Sequence, residues 1–140
     1  MIRYEWVWRP GAKALREIAG LYRAAGWWEP GDTPQRICRM VMGSHCFLLA
    51  RERGRAVGMG RAISDKTNDG YIQDVFVSPK LRGRGVGAQI VRRLALRLRI
   101  DGLGWVGLIA VGGTRRFYEG LGFKKMPKHE PMRFGESASA

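Results

Sequence analysis

The chain has 140 residues, 45% of them hydrophobic and 26% charged, which is the size and balance of one globular domain with a core of its own. Twenty-five Lys and Arg stand against 12 Asp and Glu, a formal net charge of +13, so the surface concentrates anions: nucleic acid, an acidic membrane or a polyphosphate cofactor. No apolar run approaches the roughly 18 residues of a membrane helix, no signal-peptide pattern follows Met1, and Cys38 and Cys46 do not make a disulfide framework.

Ile2–Trp8 alternates and is rich in aromatic and β-branched residues, the mark of a strand, and Pro10-Gly11 ends it. Leu15, Ile18, Ala19 and Tyr22 recur at helical spacing across 12–25, with Gly26 as the stop. Trp27 and Trp28 then sit in a loop, and Thr33-Pro34 opens a second helix to Met42 as N-cap and first helical residue. Three strands follow, 46–53, 56–64 and 71–77, joined by turns at Gly54-Arg55 and Lys66–Gly70. Residues 86–100 form a long amphipathic helix with Val86, Ile90, Val91, Leu94 and Leu98 on one face and arginines mostly off it. A strand over 105–110, a short helix over 114–121 and two last short strands, 123–125 and 132–134, complete the order, and the small polar tail 136–140 is expected to be disordered. The pattern predicts a mixed α/β, mostly antiparallel sheet flanked by about four helices, with a right-handed crossover through the long helix. The chain reads as a single domain, 1–135. His45 and His129 have no metal-ligand spacing, so no metal is expected, and the two thiols point to a reducing, cytoplasmic setting.

The stretch Arg82-Gly83-Arg84-Gly85-Val86-Gly87-Ala88 lies between a strand and the long helix. Free N–H groups at a helix N-terminus and the helix dipole make an anion site there. Glycines let a phosphate approach the backbone, and Arg82 and Arg84 add charged donors. A P-loop is excluded because no Gly-Lys-Ser/Thr occurs. Gly83–Ala88 satisfies the dinucleotide motif in letters, but three antiparallel-type strands precede it and no acidic residue ends the next strand. A tight glycine loop without ligand is the plain alternative.

Arg82-x-x-Gly85-x-Gly87-Ala88, preceded by Val77-Ser78-Pro79, resembles the [RQ]xxGxG[AG] signature of GNAT acetyltransferases, and Phe117-Tyr118-x-x-x-Gly122-Phe123 resembles the second family signature, FYxxxGF. Leu21-Tyr22-x-x-x-Gly26-Trp27, the segment 57–65 and the segment 71–77 are similar to the branch that includes plant and cyanobacterial serotonin N-acetyltransferases. The resemblance implies a sheet with a central splay, acetyl-CoA as cofactor, and direct transfer to a primary amine of a small molecule through a tetrahedral oxyanion. It places the pyrophosphate on Arg82 to Ala88 and the pantetheine arm against the backbone of Val75, Phe76 and Val77. It makes Tyr118 the general acid for the departing thiolate, since an unperturbed phenol near pKa 10 is protonated at neutral pH.

The general base is less determined. By strand alternation Asp74 shares a face with Ile72 and Phe76, and an unpaired carboxylate there would be costly. It serves either as base or amine contact, or as a structural partner for an arginine such as Arg61. Tyr71, Gln73, Asp65 and Glu29 are further options, with Gln73 also a substrate contact. Trp27 and Trp28 wall the acceptor pocket or simply pack, and Met132–Phe134 would close its far side. Relatives in the serotonin branch often carry an acid where this chain has Val111-Gly112-Gly113. Two other readings stay open: a protein or peptide amine as acceptor, and a basic nucleic-acid or ribosome-associated module. The scattered basic residues and the missing RNP-type and helix-turn-helix patterns argue against nucleic acid. GNAT proteins often dimerise through sheet edges or helices, so a homodimer is open too.

Overall fold

The computed structural model describes residues 1–135, so the expectation for the 136–140 tail lies outside the described residues. The chain divides into two compact units, Met1–Leu108 and the residues from Ile109 onward. The first unit holds β1 (Ile2–Trp6), α1 (Ala12–Ala24), α2 (Pro34–Gly43), β2 (Cys46–Glu52), β3 (Arg55–Ser64), β4 (Asp69–Val77), a 3-10 turn (Pro79–Leu81), α3 (Val86–Ile100) and β5 (Trp105–Leu108). Its sheet runs β1-β2-β3-β4-β5. The first three pairings are antiparallel and β4–β5 is parallel, so a crossover must join the last two strands, and α3 supplies it.

Local chemistry accounts for the element ends. The Thr33 hydroxyl accepts the Arg36 N–H at 3.2 Å, with Pro34 at the first helical position. The β2–β3 turn is Arg53-Gly54, one residue earlier than the sequence indicates. Both residues have positive φ, 50° and 78°, as a two-residue hairpin loop matched to strand twist requires. The β3–β4 turn is held by Asp65 Oδ1, which accepts from the N–H groups of Thr67, Asn68 and Asp69 at 2.7–3.1 Å.

Both faces of the sheet are covered. On one, Ile18, Leu21 and Tyr22 of α1 and Ile37 and Val41 of α2 pack with Phe47, Leu49, Met59 and Phe76. On the other, α3 lies on glycines. A Cβ at Gly60 would stand 2.7 Å from Ile90 Cγ2 and 2.9 Å from Leu94 Cδ1, and one at Gly70 2.8 Å and 2.9 Å from the Leu98 methyls. The missing side chains let the helix seat against the strands. Cys46 is buried and Cys38 partly so, and burial pushes the Cys46 thiol up to about 12.

Strand alternation breaks inside β4. Met59 pairs with Phe76, but Arg61 pairs with Gln73, so Asp74 and Val75 together oppose Gly60. Asp74 takes φ 57°, a left-handed conformation, and the strand bulges. The extra residue flips the parity. Ile72, opposite Ala62, lies on the α3 face, whereas Phe76 joins the α1/α2 core. The expectation that Asp74 shares a face with both is corrected: Asp74 lies on the α1/α2 side with Phe76, and Val75 turns its Cγ2 to within 3.4 Å of the Gly60 Cβ position on the α3 side.

The second unit contains α4 (Arg115–Glu119) followed by irregular chain. The strands expected at 123–125 and 132–134 do not form among the described residues. Met132 and Phe134 are fully exposed, so no burial offsets the cost of ordering them, and Pro127 and Pro131 have no N–H for a ladder. Among the described residues no helix is long and apolar enough to cross a membrane, and no cluster of His, Cys, Asp or Glu is placed to hold a metal.

Because Ile90 Cγ2 cannot swing away from Gly60, Gly60→Ala should lower stability by about 1–3 kcal/mol. Thermal unfolding of Gly60→Ala beside an exposed-site control such as Gly20→Ala checks this, with a clear drop in Tm expected only for the former.

Candidate active site

The loop between β4 and α3 presents backbone donors. Leu81 is buried and pins the 3-10 turn. Gly83 and Gly85 then take φ 79° and 80°, conformations that cost little only for glycine. Gly85 is the N-cap of α3; its carbonyl accepts the Gln89 N–H at 3.1 Å and no side chain caps the helix. The N–H groups of Val86, Gly87 and Ala88 therefore have no intrahelical partner. A Cβ placed on Gly83 or Gly85 would meet nothing within 4 Å, so the space in front of the loop is open. Arg82 donates through Nε to the Val77 carbonyl at 3.1 Å and lies 5.6 Å from the Phe76 ring centre. Arg84 pairs with Glu52 at 3.2 Å on the surface. These are the features a pyrophosphate needs: open approach to the backbone, a helix N-terminus and adjacent guanidinium groups.

Immediately before the loop, β4 loses one neighbour. Its ladder with β5 ends at Ile72–Leu108, whereas its ladder with β3 continues to Gly58–Val77. From Gln73 to Val77 the β5-side edge has no strand partner among the described residues.

The bulge at Asp74 carries a polar group. Tyr22 Oη donates to Asp74 Oδ2 at 2.7 Å and Arg61 Nε donates to the same oxygen at 2.7 Å. Arg61 Nη2 donates to Gln73 Oε1 at 3.0 Å, and Nη1 reaches Ser44 Oγ at 3.4 Å. Burial, and then the neighbouring carboxylate, raise the Tyr22 phenol far above its ordinary value, so it remains a donor at any pH the fold meets. Asp74 is thus the structural partner of Arg61, the alternative left open above, and Oδ1 is its other acceptor atom. Trp27 is 42% exposed and stands edge-on to Phe76 and Tyr22, with centroids 6.0 Å and 6.2 Å apart. Trp28 goes elsewhere: it packs on the core beneath Arg23, 4.2 Å from the ring centre. The structure gathers Trp27, Gln73, Asp74 and Phe76 and leaves Trp28 out. Tyr22 and Ser44 are the members sequence reasoning missed. Tyr22 is at a core position of α1, and nothing local marks its hydroxyl.

In the second unit, Tyr118 sits in the last turn of α4. Its N–H donates to the Thr114 carbonyl at 3.3 Å, and its carbonyl accepts from Leu121 and Phe123. Phe117 and Phe123 stand edge-on to its ring at 4.9 Å and 5.9 Å. The Phe-Tyr…Gly-Phe pattern is therefore a small aromatic knot closed by Gly122, φ 97°. Burial raises the Tyr118 phenol above its ordinary 10.0.

The open mixed sheet, the strand that parts from its neighbour and the glycine loop at the next helix form an α/β architecture whose class comparison with known proteins names. Residues 43–125, more than half of the chain, match the model of the acetyltransferase (GNAT) domain, and the chain belongs to this family of acetyl-CoA-dependent N-acetyltransferases. Among its relatives, GCN5-related N-acetyltransferase 2, chloroplastic, of Arabidopsis thaliana is 33% identical over 78 residues, 56% of this chain and 30% of that protein. Serotonin N-acetyltransferase 2, chloroplastic, of Oryza sativa subsp. japonica is 35% identical over 102 residues, 70% of this chain and 51% of that protein. The chain spans a third to a half of the length of these relatives. A crystal structure of a Trypanosoma brucei acetyltransferase has the same fold, with a TM-score of 0.81 at 22% identity over 97% of this chain and 100% of that one.

The shared Oδ2 makes a mutational test of the bulge. Asp74→Asn keeps a residue that tolerates the left-handed conformation, whereas Asp74→Ala strands Arg61 and Tyr22 as well as straining the backbone. Asp74→Ala should cost about 3 kcal/mol or more, and Tyr22→Phe about 1–2 kcal/mol. Urea denaturation of the three variants should rank Asp74→Ala as the least stable.

Proposed function

We propose that this chain is an N-acetyltransferase that takes the acetyl group of acetyl-CoA and delivers it to the primary amine of a small molecule. The observation that carries this reading is the coincidence, within 15 residues of chain, of an unpartnered β4 edge and an open glycine loop on the N-terminus of α3. When bound, acetyl-CoA supplies an activated thioester carbonyl. The N–H groups of Gly83 to Ala88, with Arg82 and Arg84, bind and neutralise the pyrophosphate. The main-chain groups of Val75, Phe76 and Val77 along the open edge orient the pantetheine arm and the acetyl group.

The small-amine reading is supported by the chemistry around Asp74. Trp27 and Phe76 offer aromatic walls, and the Oδ1 atom of Asp74 can accept from an ammonium while Arg61 and Tyr22 hold Oδ2. Gln73, oriented by Arg61, sits beside it. A carboxylate held in this way would bind and orient the ammonium and take its proton before the nitrogen attacks, and Tyr118 would give its phenol proton to the thiolate released as the C–S bond breaks. Tyr118 suits that role because burial keeps its phenol protonated.

Release of free thiol from acetyl-CoA, followed over a panel of arylalkylamines, polyamines, aminoglycosides, amino acids and short peptides, tests the reading. Amine-dependent release with one small-molecule class is the expected result. Binding of acetyl-CoA with release only toward peptides would replace the small acceptor by a macromolecular one, and loss of both would remove the activity.

Two variants probe the parts. Gly85→Ala imposes about 1–2 kcal/mol of left-handed strain and should weaken acetyl-CoA binding by about tenfold in calorimetry. Tyr118→Phe should lower kcat with acetyl-CoA affinity nearly unchanged. A general acid fails once deprotonated, and this phenol titrates above 10.0, so the Tyr118-dependent fall in kcat should begin only above about pH 10.

A further inference from the structure

The acetyl-transfer reading uses Arg82 and Arg84 and leaves most of the net charge of +13 without a role. The tertiary structure collects part of it on the side of the sheet away from α1 and α2. Helix α3 carries Arg92, Arg93, Arg97 and Arg99 and no acidic residue. Beside it β1, an edge strand, presents Tyr4 and Trp6, and Trp8 follows. The two sets interleave. The Arg93 guanidinium lies 4.4 Å from the Tyr4 ring centre, and that of Arg97 lies 5.8 Å from both Trp6 and Trp8. Trp6 and Trp8 stack on each other with centroids 6.3 Å apart and planes 25° from parallel. The surface is open: Trp8 is 50% exposed, and Leu96 and Ile100 on the adjoining flank of α3 are 60% and 69% exposed. The carboxylates at its ends are engaged, Asp101 by His45 and Arg97, and Glu52 by Arg84.

Charge and shape together select the occupant. A second copy seated on this face would bring arginine against arginine, and neither β1 beside the rings nor α3 offers a free acid among the described residues to meet them. An acidic polypeptide would answer the arginines but leave the flat rings without use. Nucleobases answer both: they stack on indole, phenol and guanidinium planes while the backbone phosphates take the remaining arginine donors. Trp8 is exposed, while Tyr4 and Trp6 are half-buried under the guanidinium groups along the sheet edge, a surface that an extended strand can follow by stacking on Trp8 and the arginine planes. We propose that the β1–α3 face binds single-stranded nucleic acid, independently of the acetyl-transfer site on the chain.

The test is fluorescence anisotropy of a short fluorescein-labelled single-stranded RNA of mixed sequence, titrated with the full chain at stepped salt. The expected result is binding whose log K falls linearly with log salt. Unlabelled single strand should compete, and polyglutamate of equal charge should not. Trp8→Ala and the pair Arg92→Glu with Arg93→Glu should each weaken binding by about tenfold. The pair Lys13→Glu with Arg16→Glu, an equal charge change on α1 over the opposite face, should weaken it much less. Thermal midpoints equal to that of the parent chain certify that each variant is folded, and either of the first two variants suffices. No binding overturns the proposal. Equal loss in the α1 pair overturns it by reducing the effect to diffuse charge, and equal competition by polyglutamate overturns it in favour of an acidic protein partner.

Discussion

The candidate site depends on one backbone residue, Asp74, held with φ at 57°. Left-handed backbone is unfavourable for a residue with a Cβ, by about 1–2 kcal/mol, and it persists because two donors from distant parts of the chain converge on one carboxylate oxygen. Tyr22 arrives from α1 and Arg61 from β3. The bulge they hold reverses the side-chain parity of β4, so Ile72 faces α3 and Phe76 faces α1 and α2. Without that reversal Phe76 would point away from Trp27, and the aromatic wall beside Asp74 would not exist. The bulge lies two residues past the last β4–β5 pair, Ile72–Leu108, just beyond the point where the strand edge opens.

The same group restricts what Asp74 can do. A guanidinium and a phenol both donate to Oδ2, so Oδ1 is the oxygen left for a further donor. The two groups sit in different environments: Asp74 accepts from two donors on one oxygen, whereas burial raises the phenol of Tyr118. The glycine loop adds a third environment, in which backbone N–H groups at the start of α3 lack intrahelical partners.

Opposite uses of the two sheet faces follow from small residues. Gly60 and Gly70 let α3 seat low on one face, which buries Ile90, Leu94 and Leu98 and leaves the arginine-bearing flank of the helix level with β1. On the other face, α1 and α2 bring larger side chains and leave the rim at Trp27 open. The arginine and aromatic side chains of α3 and β1 and the Asp74 carboxylate thus lie on opposite faces of the sheet.

Much of this was legible from residues alone, and the division has a physical cause. Features set by neighbours in sequence could be read directly: the Thr33-Pro34 helix start, the Arg82–Ala88 loop, the apolar face of α3 and the Phe-Tyr…Gly-Phe turn. Each is decided within a few residues by hydrogen bonding, sterics or helical period. Features set by register could not. The bulge at Asp74 needs Arg61 and Tyr22, 13 and 52 residues away, and strand alternation gives the wrong face when one residue is inserted. Trp27 and Trp28 are indistinguishable as a sequence pair, yet one borders Phe76 and the other lies under Arg23. The arginines look scattered along the chain until β1 is laid beside α3. Sequence by itself determined the elements up to α4, the glycine loop before α3 and the family. Only tertiary structure decided which side chains meet, because those contacts depend on pairing between segments far apart in the chain, and one residue of register turns a strand over.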